Sequence, residues 1–127
     1  NLREACAAME HGATAAPEEW LAMARRANPA GTARPLLVIH GTADATVDCA
    51  NALDIASQWS ALAGAPAAAA SCATGGNAKA GPVDLRLLPG FDHFQPVTAD
   101  CGQADPDKFF QTAPICGARE AWEFFGR

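Results

Sequence analysis

At 127 residues, half of them apolar, the chain is long enough to bury the core of one ordinary domain. Its formal net charge of −5 argues against phosphate backbones and anionic membranes, since an acidic surface gains nothing by meeting either; no nucleic-acid and no membrane partner is expected. No apolar run approaches the roughly 20 residues needed to cross a bilayer, and the chain opens at Asn1 rather than Met, as a trimmed polypeptide or one preceded by further residues would.

In chain order, Pro17 at a first helical position, Glu18 and Glu19 in the first turn, and Trp20, Leu21 and Ala24 on one face predict a helix over 17–27. Asn28-Pro29 and Gly31 end it. Pro35 leads into Leu36-Leu37-Val38-Ile39, a continuous apolar run closed by His40-Gly41, which reads as a strand buried on both faces, as in a parallel sheet. From Asn51 to Gly64, Ile55, Trp59 and Leu62 recur at helical spacing with Asp54, Gln58 and Ser60 free to face water, and Asp48 is placed to cap this helix.

The Ala-, Gly-, Ser- and Asn-rich segment 65–81 has no periodicity and reads as a surface loop. Val83, Leu85 and Leu87 alternate with Asp84 and Arg86, the pattern of a strand with one wet face near a sheet edge, ended by Pro89-Gly90. After a long connection over 95–114, Ala118, Ala121, Trp122 and Phe125 fall on one helical stripe closed by Gly126, and Trp59, Trp122 and Phe125 are expected in the core. This alternation predicts an α/β fold with a mostly parallel sheet and flanking helices. Residues 1–33 are then a helical segment ahead of the first strand, and 34–127 the body of the domain.

Five cysteines (Cys6, Cys49, Cys72, Cys101, Cys116) lack the close paired spacing of a zinc site, and three histidines form no ligand repeat, so neither a metal nor another cofactor is expected. Their scatter fits disulfides, hence an oxidising compartment, secreted or periplasmic. Connectivity does not follow from sequence; Cys101 with Cys116 and Cys49 with Cys72 are sensible pairings. The odd thiol suggests a bridge to a segment outside these residues.

In an open parallel sheet, functional groups collect in loops at the carboxyl ends of strands. Two such loops occur, His40-Gly41-Thr42-Ala43-Asp44-Ala45-Thr46-Val47 and Pro89-Gly90-Phe91-Asp92-His93. They set an Asp and then a His at the ends of two successive strands, which is the acid-then-base half of a Ser-His-Asp triad. Asp48 is a weaker rival for the acid, and Asp92 reads as solvated. His40 reads as a buried ring bonded to backbone, and Gly41 as a position whose backbone conformation excludes a side chain. Phe91 and Phe94 flank His93 and are candidates for the wall of a substrate pocket, or for packing under the loop.

At these residues the chain resembles the α/β-hydrolase superfamily. "RPLLVIHGTADATV", "NALDIASQW" and "AREAWEFF" look like secreted poly(3-hydroxybutyrate) depolymerases and the related feruloyl and acetylxylan esterases. The resemblance covers about the last three quarters of the chain and is most specific over 35–59; after His93, Phe94-Gln95-Pro96 departs from the family pattern. It implies the carboxyl-terminal part of a hydrolase domain with Asp44 as triad acid, His93 as general base, and an ester substrate. The three serines, Ser57, Ser60 and Ser71, follow Asp44 and lack the G-x-S-x-G turn of the superfamily. The nucleophile is therefore expected on a preceding segment of the same enzyme, held as a partner and possibly disulfide-linked. The rival expectations are a non-catalytic binding domain with a decayed triad and, less favoured, a peptidase.

Overall fold

The computed structural model describes residues 1–12, 15–105 and 109–126. Helix α1 (Leu2–His11), for which the sequence reading has no element, starts at a capping box: Asn1 Oδ1 accepts from Glu4 N at 3.0 Å, and the Glu4 carboxylate accepts from the Asn1 amine at 2.9 Å. Helix α2 (Pro17–Ala27) occupies the predicted span and half-buries Trp20, Leu21 and Ala24. Strand β1 (Leu36–Gly41) and helix α3 (Ala50–Leu62) follow.

Strand β2 (Gly76–Ala80) lies inside the segment expected to be a loop. It is joined to β3 (Val83–Leu88) through Gly81-Pro82, a two-residue connection with Gly81 at φ +55°. So short a link can join only antiparallel neighbours, and its left-handed first residue favours glycine. β2 pairs antiparallel with β3, while β1 pairs parallel with β3, so the sheet order is β1-β3-β2. Two short strands, β4 (Gln95–Val97) and β5 (Phe110–Thr112), form a separate parallel pair, and α4 (Gly117–Phe125) closes the chain.

The expected fold class is therefore corrected. The sheets are a mixed three-stranded one and a two-stranded one, not a mostly parallel sheet with flanking helices. The tight hairpin is the physical cause, because it returns the chain antiparallel where a crossover was expected. It also makes β3 the centre of its sheet instead of an edge.

Burial follows from that centre. Val83, Leu85 and Leu87 are at most 1% exposed and pack against Ala52 and Ala56 of α3. Small residues at i, i+4 and i+8 (Ala52, Ala56, Ser60) let the helix lie close on the sheet, so Ser60 is buried with its hydroxyl donating to the Ala56 carbonyl at 2.8 Å. Ile55, expected inside, is exposed, and Trp59 is half-buried, its Nε1 donating to the Arg34 carbonyl.

On its other side β3 presents Asp84 and Arg86, both expected to be wet. Asp84 is buried: Arg86 Nε donates to it at 2.9 Å, Lys79 of β2 lies 3.2 Å away, and Arg86 also meets Glu120 of α4 at 2.7 Å. This network ties α4 to the sheet and leaves its stripe outward, so Trp122 and Phe125, expected in the core, are 80% and 65% exposed.

Two disulfides staple the remainder. Cys49–Cys72 ties the start of α3 to the segment before β2, and Cys101–Cys116 ties the connection after β4 to the start of α4. Closing loops of 23 and 15 residues restrains the unfolded chain by about 3 kcal/mol each. Cys6 on α1 is exposed with a free thiol. Among the described residues no helix is long and apolar enough to cross a membrane.

Candidate active site

β1 and β3 run parallel with Gly41 in register with Leu88, so the loops that follow leave the sheet side by side. Four hydrogen bonds knit them together. Thr42 N donates to Leu88 O at 3.0 Å, Ala43 N to Phe91 O at 3.0 Å, Gly90 N to Thr42 Oγ1 at 2.8 Å and Ala45 N to Asp92 Oδ1 at 3.2 Å. The approach requires Gly41, where a Cβ would lie 2.0 Å from the Phe91 carbonyl oxygen. Gly41 thus serves close packing between loops, not the forbidden backbone conformation expected from sequence.

Within this frame Asp44 and His93 meet. His93 Nδ1 lies 2.7 Å from Asp44 Oδ2. The carboxylate is fixed on its other oxygen by Thr46 N at 2.9 Å and Val47 N at 2.8 Å, and its side chain is 4% exposed. Burial alone would raise the Asp44 pKa, but the hydrogen bonds from Val47, His93 and Thr46 outweigh it and hold the carboxyl below its ordinary value. The acid is therefore an anion at neutral pH. In a neutral imidazole the Nδ1 proton then donates to Asp44, which leaves the Nε2 lone pair to act as a base.

The His93 side chain is 48% exposed, and among the described residues no group engages its Nε2. Its ring faces a cleft of about 480 Å³ that is also lined by Asp44, Val47, Leu88, Phe91, Phe94, Pro96 and Phe109. Of the two aromatic candidates, Phe91 is buried and Phe94 half-buried, and both border this cleft. None of the three serines reaches the ring: Ser60 is bonded within α3, Ser71 Oγ accepts from Ala73 N, and Ser57 lies on α3. Among known proteins, no family model and no curated protein matches the chain.

The rival acid, Asp48, is occupied at the start of α3, where its Oδ1 accepts from Ala50 N at 2.8 Å. Asp92, expected to be solvated, instead accepts from both Ala45 N and His93 N through Oδ1, at 3.2 and 2.8 Å. It joins the acid loop to the base loop, a role that only the spatial meeting of the loops reveals.

His40 is half-buried with Nδ1 2.8 Å from the Gly41 carbonyl, so this nitrogen donates; its Nε2 stands 3.6 Å from Asp44 Oδ2. Among the described residues no three His, Cys, Asp or Glu side chains converge as metal ligands would. Chemically, the cleft offers an oriented base backed by an anion, on a half-exposed ring.

Proposed function

We propose that this chain supplies the acid and the base of a serine ester hydrolase, with the nucleophilic serine carried by a segment outside these 127 residues. The observation that supports it most is the 2.7 Å contact between Asp44 Oδ2 and His93 Nδ1, in a half-exposed histidine that lines an open cleft. His93 takes the proton of the serine hydroxyl as its oxygen attacks the ester carbonyl. It returns that proton to the leaving alkoxide, which departs as the alcohol and leaves an acyl-enzyme for water to hydrolyse by the same route. Asp44 holds the Nδ1 tautomer and offsets the positive charge that develops on the ring.

By the resemblance of its motifs to secreted poly(3-hydroxybutyrate) depolymerases, the substrate class is poly(3-hydroxybutyrate) or its oligomers. Feruloyl or acetyl esters of plant polysaccharide are the alternative. Two disulfides accord with a secreted or periplasmic site of action.

The test is a fluorophosphonate applied to the longer polypeptide that contains this chain. The expected adduct is on a serine outside residues 1–127, and His93→Ala should slow its formation by about three powers of ten. An adduct on Ser57, Ser60 or Ser71, or no labelled serine at all, contradicts the proposal.

A further inference from the structure

The chain departs from ordinary backbone geometry at Phe109. Among the described residues it is the one non-glycine residue with positive φ, at +67°. A bulky side chain in this region is strained and persists only where the surroundings enforce it. Here the enforcing contact is a 2.7 Å hydrogen bond from Gln95 N to the Phe109 carbonyl, at the junction where β4 meets β5. The result is a phenyl ring that stands 70% exposed while bordering the cleft that holds His93. Core packing does not explain so exposed a ring in so unfavourable a conformation.

A second aromatic ring of the lining comes from the base loop, beside the β4–β5 junction. Phe94 follows His93 directly, is half-buried and lines the same cleft. Among the described residues the one close ring pair is Phe124 with Phe125, so Phe94 and Phe109 are not stacked on each other or on another ring. Leu88, Pro96 and Val47 extend the apolar lining, and Asp44 and Asp92 contribute two carboxylate residues to it. Those carboxylates repel an anionic ligand near the reacting position, while the rings gain by covering apolar surface.

The geometry points to Phe109 as a specificity-determining residue that, together with Phe94, binds the apolar part of an uncharged ester whose carbonyl lies at His93 Nε2. This rests on the ester-hydrolase reading and deepens it by assigning the substrate contact to a residue that neither the motifs nor the helical and strand periodicities single out. The left-handed backbone aims the ring.

The test uses the 127-residue chain itself, with ethyl benzoate as probe and benzoate as its anionic counterpart, followed by amide and aromatic chemical shifts. Ethyl benzoate should shift signals of Phe94, Phe109 and His93, and benzoate should shift them far less. Phe109→Gly removes the ring yet suits the positive φ, so its melting temperature should match or exceed that of the parent chain. Its apparent Kd for ethyl benzoate should rise by about tenfold, and Phe109→Leu should recover most of the loss.

Unchanged binding by a folded Phe109→Gly chain overturns the inference. So does a failure of saturating ester to shift the cleft residues, or equal binding of benzoate. The His93 ring provides the separating control. If Asp44→Asn alters its nitrogen shifts but the ester does not bind, this inference alone fails; if Asp44→Asn leaves them unmoved, the parent reading fails and carries this one with it.

Discussion

Two aspartates, Asp44 and Asp84, are held below the ordinary carboxyl value, and the difference between their surroundings separates chemistry from scaffolding. Asp84 is surrounded by cations: the hydrogen bond from Arg86 is its largest influence and prevails over burial, Lys79 adds a second contact, and Arg86 is completed by Glu120. Each partner there is spent on another partner. Asp44 instead sits among backbone amides and two imidazoles, His40 and the closer His93, and His93 is half-exposed and lines a cleft. A closed network of charges fixes an element, whereas one with a free end can pass a proton.

The comparison predicts opposite consequences for removing the two carboxylates. Asp84→Ala leaves the largely buried Arg86 guanidinium without its nearest carboxylate, and should destabilise the fold by about 3 kcal/mol, read as a lower urea midpoint at unchanged m-value. Asp44→Asn keeps an acceptor for the Thr46 and Val47 amides and should cost about 1 kcal/mol or less in the same assay. Equal losses for the two variants would remove the distinction.

A smaller effect tests whether Asp92 belongs to the site or to the scaffold. Asp92→Ala deprives Ala45 N and His93 N of their shared acceptor and should cost about 1 kcal/mol, while Asp92→Asn, which retains an oxygen, should be close to neutral. The same Ala variant should broaden the His93 ring signals as the two loops lose their tie. Sharp, unshifted signals would restrict Asp92 to local turn chemistry.

Acid should reveal both carboxylates. Both folded-state values lie below the ordinary 3.8, so the unfolded chain binds protons first; the stabilisation is complete above that value and is lost as pH falls through the lowered folded ones. Urea midpoints should therefore decline below about pH 4, and Asp84→Asn and Asp44→Asn should each flatten the decline. On the surface, Asp100 is drawn down to about 2 by Thr98 and then Arg119, but full exposure makes it a minor contributor.

Much of what positions the site was legible in the chain. The apolar run Leu36 to Ile39, the helix at 17–27 and the order Asp44 then His93 are local signals, and the structure contains the strand, the helix and the contact between the two side chains. Both disulfides match the pairings suggested for them, although sequence does not fix connectivity. The misreadings share a cause, since periodicity reports polarity but not partners. Asp84 and Arg86 alternate with leucines as a wet face would, yet they neutralise each other and Glu120 inside the fold. The stripe of Trp122 and Phe125 has core spacing, yet the Glu120 contact turns it outward. The β2 strand carries no apolar pattern because its backbone pairs at the outer edge of β3 and its side chains bury little. Asp92 and Phe109 took their places in the site from contacts between distant segments, which a linear reading does not contain.

The most direct measurement is nitrogen-15 NMR of the neutral His93 imidazole, in the parent chain and in Asp44→Asn. The expected ring is protonated at Nδ1, with a strongly downfield proton on that nitrogen that disappears or moves upfield in the variant. A ring protonated chiefly at Nε2, or ring nitrogen shifts identical in the two proteins, would contradict the Asp44–His93 pairing.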